Sequence, residues 1–381
     1  MDLSFTDTQK MLAAEARQFL QSNWSSSQVR KLERNAEGFS KDLWMTMAEL
    51  GWMGIVFPQE FGGAGGNLVD FCVVIEEMGR NLVPSPFCSS IGLVGLLILK
   101  AADDETRRDM IPKLAKGQIT ASLAVTETNG GLNPEEIETT SVRENNHYLL
   151  NGVKLFVPDA QNVDYLLIAA RTGPKPKNIS LFLTQAYRED IKISAHKTMS
   201  FDAQGEIRLG NTRLPISSLI GEFNGGWPLL DMALQLGTIL KCAEMLGGAE
   251  IVLDKTIEHL KQRVQFGRPI GTFQALQHHC ANMAIDVEGC RNLTYQAAWS
   301  LDQGLDSRKE VSMAKAWVNE AYNRICTLSH QCHGAIGFTM EHDLQLYTRR
   351  ARVQEQSFGE TQFHLEILAE NIGNLRRGTL K

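Results

Sequence analysis

The chain has 381 residues, 43% hydrophobic and 22% charged, and its 38 Lys+Arg against 44 Asp+Glu leave a formal net charge of -6 at pH 7. That length exceeds one ordinary domain and supplies an ample core, while the acidic balance excludes nucleic acid as the main partner, since binding phosphates needs a basic surface. The seven cysteines are an odd number without a C-x-x-C pair, which points to neither a disulfide framework nor a zinc site.

Met1-Asp2-Leu3-Ser4-Phe5-Thr6 lacks the basic start and apolar run of a signal peptide. The most apolar stretch, Ile91 to Leu99, falls well short of the roughly 20 residues of a membrane span. A cytoplasmic protein with reduced thiols and no membrane span is the expectation. Thr6 and Gln9 make the pattern of a capping box ahead of Leu12, Ala16 and Phe19, which share one helix face. A second helix is expected from Ser40, carrying Leu43, Met47 and Leu50. The loop from Pro58 to Gly66 cannot be helical and precedes another amphipathic run from Asn67 to Arg80. Residues 1–120 are therefore expected to form an N-terminal all-helical domain.

Near Ala121 the period changes to alternation. Ser122–Glu127, Ser141–Val157, Tyr165–Ala170, Ile179–Leu183 and Glu206–Leu209 read as strands separated by turn signals such as Asn151-Gly152. A middle β domain over 121–224 follows. Past Gly225-Gly226 the helical period returns over Leu229–Arg263, Gln274–Asp302, Ser307–Cys332 and Glu360–Asn374. Four helices of that length predict a C-terminal four-helix bundle over 225–381. The class is α+β and multidomain.

Two segments stand out inside the helical sequence: Gln262-Arg263-Val264-Gln265-Phe266-Gly267-Arg268-Pro269-Ile270 and Gln331-Cys332-His333-Gly334-Ala335-Ile336-Gly337-Phe338. Each puts anion- and amide-binding groups beside glycines, where a backbone can approach a ligand closely. Both resemble the segments with which acyl-coenzyme A dehydrogenases hold the pyrophosphate and adenine half of FAD across a subunit interface. The order of helical, β-barrel-like and four-helix-bundle domains agrees with that family over essentially the whole chain.

The resemblance implies that Arg263 binds the FAD pyrophosphate and that Gln265, Phe266 and Gln274 continue the contact. A guanidinium suits the task because it pairs with two phosphate oxygens at once. It further implies that Gln331, Gly334, Ala335 and Gly337 meet the same FAD from a neighbouring subunit, with Ala335 where the family has a second glycine. In the β domain, Ala124-Val125-Thr126-Glu127 is similar to the segment whose Thr and backbone amides contact the flavin, which assigns Val125 and Thr126 to the cofactor. Phe156 falls where the family has an aromatic against the flavin ring; taken alone, it reads equally as a core strand aromatic.

The substrate side departs from the family pattern. Dehydrogenation needs a carboxylate within hydrogen-bond reach of the α-proton. In one branch of the family that Glu belongs to a Glu-Gly-Thr motif, matched here by Gly359-Glu360-Thr361 in inverted order. In another it lies on the first bundle helix, matched by Gly237. Leu132, Pro158, Gln235 and Thr238 also depart. Glu360 remains the candidate base, with a simple helix-terminal carboxylate as the alternative, and Thr361 is a candidate flavin contact. His333 and His364 read as structural.

What the resemblance implies is an FAD-dependent acyl-CoA thioester dehydrogenase that works in a tetramer and passes electrons to an electron-transferring flavoprotein. One version is a homotetramer with Glu360 as base. The other is the base-lacking subunit of an α2β2 complex, similar to enzymes of steroid side-chain thioesters, in which a second acyl-CoA dehydrogenase-like chain supplies the Glu. An oxygen-using flavin monooxygenase or oxidase of the same fold is the competing class.

Overall fold

The computed structural model describes residues 4–35, 38–200 and 202–378. The capping box forms: Thr6 Oγ1 accepts from the Gln9 amide at 3.2 Å, and the Gln9 side chain accepts from the Thr6 amide at 3.0 Å. It opens α1 (Asp7–Asn23), which is followed by α2 (Ser26–Asn35), α3 (Lys41–Glu49) capped by Ser40, α4 (Leu68–Arg80), α5 (Leu96–Ala101) and α6 (Asp104–Ala115). The glycine-rich loop before α4 holds one 3-10 turn, Gln59–Phe61. A π-helical run, Cys88–Gly95, leads into α5.

The strands are β1 (Ala121–Ala124), β2 (Thr140–Glu144), β3 (His147–Pro158), β4 (Tyr165–Arg171), β5 (Ile179–Gln185), β6 (Ile191–His196), β7 (Gln204–Pro215) and β8 (Leu219–Ile220). They form one eight-stranded sheet in the order β6-β7-β3-β2-β4-β5-β8, with β1 parallel to β4. Tyr148, Leu150, Leu166, Ile168, Phe182 and Ile207 fill its core. The run expected as a single strand from Ser141 to Val157 is a hairpin, turning at Asn145, whose φ is 49°. Asn151-Gly152 is not a turn. It lies within β3, where the register to β7 shifts between Leu150 and Gly152. Such pairs mark bulges as well as turns, and here the Asn151 side chain cross-links to Asn211 of the neighbouring strand at 3.0 Å.

The C-terminal part holds α7 (Trp227–Gln262), a small hairpin of β9 (Val264–Gln265) and β10 (Arg268–Pro269), α8 (Gln274–Asp302), α9 (Arg308–His333), α10 (Leu344–Gln356) and α11 (Thr361–Gly378). The four expected long helices are present, and α10 is an additional one between the third and fourth.

The chain divides into two compact units. A helical unit draws on Met1–Val29, Leu68–Val83 and Thr238–Lys381, and a sheet unit on Arg30–Asn67 and Pro84–Gly237. Within the helical unit, α4 and α7 approach through glycines. A methyl on Gly79 would overlap the Glu244 carbonyl, and one on Gly247 the Glu76 carbonyl. Beside this crossing lies a buried charge network. Arg291 bridges Glu76 and Glu250, both at 2.9 Å, Tyr295 donates to Glu76 at 2.5 Å, and Arg80 pairs with Glu250 and Asp254. Burial raises the Glu76 carboxyl despite the opposing Arg291 charge. Among the described residues, no helix is long and apolar enough to cross a membrane.

Candidate functional site

In the sheet unit, β1 runs into Val125 and Thr126, and the Thr126 carbonyl accepts from the Leu155 amide at 2.8 Å. That bond brings the Val125-Thr126 segment beside β3 and so near Phe156. A second register shift lies between Lys154 and Val157, and within it Phe156 adopts φ 53° with its side chain 54% exposed, its ring 5.4 Å from that of His196. A bulky residue in the left-handed region is strained, and such strain clusters at ligand clamps. Phe156 is no core aromatic.

Beneath this edge is a pair that the sequence reading missed. Lys154 is fully buried and donates to Glu127 Oε1 at 2.6 Å and to the Val125 carbonyl at 3.0 Å. Glu127 also accepts from the amides of Glu138 and Thr139 at 2.8 and 3.0 Å. Burial pushes the Lys154 ammonium down to about 8 against the pull of Glu127. Burial also acts to raise the Glu127 carboxyl, but the Lys154 charge and the hydrogen bonds together hold it below the ordinary range. The signal for this pair was present: Tyr148, Leu150 and Lys154 fall on alternating inward positions of β3, and an inward lysine in a strand requires an acidic partner.

In the helical unit, Arg263 follows the last residue of α7, exposed to solvent, and its carbonyl accepts from the Ile270 amide at 2.8 Å. The hairpin β9–β10 turns at Phe266 and Gly267, with φ 54° and 78°. Two positive φ angles in a two-residue loop match the twist of the flanking strands, and they leave the Phe266 side chain 89% exposed. Gln265 and Gln274 are exposed as well, and Gln274 opens α8 without a side-chain cap. These four residues thus lie along one continuous, solvent-facing segment.

At the end of α9, Gly334 takes φ 66° and ψ -146°, a conformation in which only glycine is comfortable. Gln331, Gly334 and Ala335 are exposed and line a cleft of about 670 Å³ together with His330, Phe338 and Arg349. Gly337 differs from the reading of close ligand approach. It is buried, and its missing side chain makes room for His330, His333 and Leu344. His333 stacks on His259 at 4.3 Å and bonds to the Ser329 carbonyl at 2.9 Å.

The turn before α11 carries the candidate base. Phe358 and Gly359 have φ 58° and 102°, Glu360 is exposed, and Thr361 begins the helix. A side chain at position 359 would meet Phe363 at 2.5 Å and His364 at 2.9 Å. The Thr361 hydroxyl oxygen is buried and has no hydrogen-bond partner. An orphaned buried hydroxyl, an exposed guanidinium and glycine-opened backbone are groups that fit a dinucleotide flavin. Gly237, which matches the other family position of the base, is buried in α7. Among the described residues no cluster of three metal-binding side chains occurs.

The helix–sheet–helix fold with these segments defines a class of flavin-dependent oxidoreductase. Sequence models of the acyl-CoA dehydrogenase N-terminal, middle and C-terminal domains match residues 6–118, 122–212 and 224–373. The chain belongs to the acyl-CoA dehydrogenase family, whose members are FAD-dependent enzymes. It is 30% identical to the caffeyl-CoA reductase-Etf complex subunit CarC of Acetobacterium woodii, over 92% of this chain and 94% of that protein. It is 29% identical to the 3-(aryl)acrylate reductase of Clostridium sporogenes, over 97% and 99%. A solved glutaryl-coenzyme A dehydrogenase in complex with glutaryl-CoA superposes with a TM-score of 0.92 at 26% identity, covering 98% of this chain and 97% of that one.

Proposed function

We propose that the chain is the FAD-binding subunit of an acyl-CoA dehydrogenase that assembles with a sister chain of the same family, and that the sister chain supplies the catalytic base. One observation carries this reading. Both positions at which the family places the base are glycines, and at Gly359 the positive φ together with Phe363 and His364 leaves no room for a carboxylate.

On this reading Val125, Thr126, Phe156 and Thr361 meet the flavin ring. Arg263, Gln265, Phe266 and Gln274 hold its dinucleotide half, and Gln331, Gly334 and Ala335 complete the site of a neighbouring chain in the tetramer, with the buried Gly337 packed behind them. When bound, FAD supplies two-electron chemistry at the β-carbon of the thioester. The groups of this chain bind and orient; the proton at the α-carbon is handled by the partner's carboxylate. Steroid side-chain thioesters fit as the substrate class because the enzymes with this subunit arrangement act on bulky acyl groups. An electron-transferring flavoprotein is the electron partner, in line with the Etf complex of the Acetobacterium relative.

The test is reconstitution. The purified chain should bind FAD but show little flavin reduction by any acyl-CoA, and Glu360→Gln should be nearly silent in the assembled complex. If Glu360 acts in cis in a homotetramer, the same substitution should slow reduction by about 100- to 10,000-fold, and robust dehydrogenation by the chain alone would refute the sister-chain reading. Arg263→Ala should weaken FAD about ten- to a hundredfold, the size of a charge-assisted contact, as measured by flavin fluorescence titration.

A second reading runs the same chemistry toward saturation. It is favoured by the reductase names of the two relatives, and it predicts that reduced protein is reoxidised by an α,β-unsaturated acyl-CoA faster than oxidised protein is reduced by the saturated one.

A further inference from the structure

The helical unit contains a lysine that the flavin and acyl-CoA reading does not use. Lys315 of α9 is fully buried. Among the described residues no carboxylate lies within ion-pair distance of its ammonium. A buried cation without a counter-ion is costly and persists only where other groups satisfy it. Three oxygens do so, Asn319 Oδ1 at 2.6 Å and the carbonyls of Gln354 and Glu355 at 2.7 and 3.4 Å, with the Met245 sulfur farther away at 3.9 Å. Both carbonyls belong to the last turn of α10, where a cation is favoured by the negative end of the helix dipole; the Gln354 carbonyl also accepts from the Ser357 amide at 3.2 Å.

Two carbonyls further along the chain, those of Phe358 and Gly359, are also held by side chains. His364 of α11 has a depressed basicity, pushed down by burial to about 4, so its ring is neutral at physiological pH. A carbonyl can only accept, so His364 Nε2 carries the hydrogen and donates to Phe358 O at 3.0 Å, leaving Nδ1 facing Ser312 Oγ at 3.3 Å. Asn319, fixed by Lys315, extends its amide toward Gly359 O at 3.5 Å. The carbonyls of residues 354, 355, 358 and 359 are thus all held by side chains of α9 and α11. Between them Phe358 and Gly359 occupy positive φ, a conformation that costs energy and needs such support. The residues that follow are Glu360 and Thr361.

The geometry points to Lys315 as the positioning residue, acting through Asn319 and alongside His364, that fixes the turn presenting Thr361 to the flavin. This inference rests on the reading of Thr361 as a flavin contact. Lys315 touches neither cofactor nor substrate. It sets where the turn lies.

The experiment uses the full chain loaded with FAD. Lys315→Met keeps the apolar stem and removes every donor, Lys315→Gln keeps two, Thr361→Val removes the hydroxyl, and Leu20→Ala on α1 is a buried-core control for general loss of stability. Lys315→Met should weaken FAD about tenfold, the size of one lost charge-assisted hydrogen bond. It should also shift the visible spectrum of the bound flavin and speed hydrogen exchange in the peptide covering 357–364, with Lys315→Gln intermediate. Leu20→Ala should lower the melting temperature without changing the flavin spectrum.

If Thr361→Val alters the flavin and both Lys315 variants leave affinity, spectrum and exchange unchanged, the positioning role is overturned while the flavin contact stands. If Thr361→Val is also silent while Arg263→Ala still weakens FAD, the inference falls because this turn does not meet the flavin, although the protein binds FAD. A spectral change in Leu20→Ala equal to that in Lys315→Met would likewise overturn it.

Discussion

Among the described residues two lysines are wholly buried, one in each unit, and they are held in opposite ways. Lys154 in the sheet unit faces a carboxylate, Glu127, at 2.6 Å. Lys315 in the helical unit faces neutral oxygens and the Met245 sulfur. Burial pushes the first down to about 8 and the second to about 7. The order follows from the partners, because an anion stabilises a buried cation more than carbonyl dipoles do. The pair Lys154–Glu127 makes a stiff staple between β3 and the chain after β1. Lys315 is a looser clasp on the end of α10.

The sharpest way to break the comparison is to remove the anion. Glu127→Ala should destabilise the protein by about 3–5 kcal/mol, because it strands a buried ammonium, and the double variant Glu127→Leu with Lys154→Met should recover part of that loss. Chemical denaturation measures both. A single-variant loss below that of an average surface substitution would mean that water reaches Lys154.

Lys315→Met should cost less, about 1–3 kcal/mol, since the costly buried charge leaves together with its hydrogen bonds. A larger loss than that of Glu127→Ala would reverse the ranking.

The smallest effect is the pH dependence. An unfolded lysine keeps its proton up to the ordinary value of 10.5, whereas folded Lys315 releases it near 7. Between these values the unfolded chain binds more protons, so stability rises with pH. The ceiling for one proton is about 1.4 kcal/mol per pH unit, and Lys154 contributes in the same sense only above about 8. Denaturant midpoints between pH 7 and 8 should therefore rise less in Lys315→Met than in the wild type. Parallel curves for the two proteins would contradict the low value at Lys315.

Lys315 has no signal in the sequence, because a lone lysine is ordinarily a solvated surface charge, whereas the inward place of Lys154 on β3 could be read from the alternation of that strand. Local signals were read well where the physics is local. The Thr6–Gln9 box and the Ser40 cap fixed helix starts, and the long apolar periods located α7, α8, α9 and α11 within a few residues. Helix α10 was missed because its buried face, Leu344, Tyr347, Ala351 and Gln354, has proper helical spacing but mixes in Arg350 and Gln354. Strand β6 was missed for a different reason. Its sequence alternates, with Ile191, Ile193 and Ala195 against Lys192, Ser194 and His196, but the run is only six residues long and only Ile191 is buried, so the signal is short and weak.

Of the candidate site, glycine and aromatic motifs were legible, and Phe156, Phe266, Gly267 and Gly334 among them sit where φ is positive. The carbonyl-binding set under Gly359 was not. It joins residues from Ser312 to His364, and no spacing rule connects them.

The glycine crossing of α4 and α7 has a consequence for how the helical unit tolerates change. Backbones that touch without an intervening side chain act as a mechanical stop, holding two helices at one separation and one axial register. Arg80 and Glu76 ride on one helix and Glu250 and Asp254 on the other, so that register decides which charges face each other. A single added methyl at Gly247 would act on every ion pair across the seam at once, and the damage would surface far from the substituted atom.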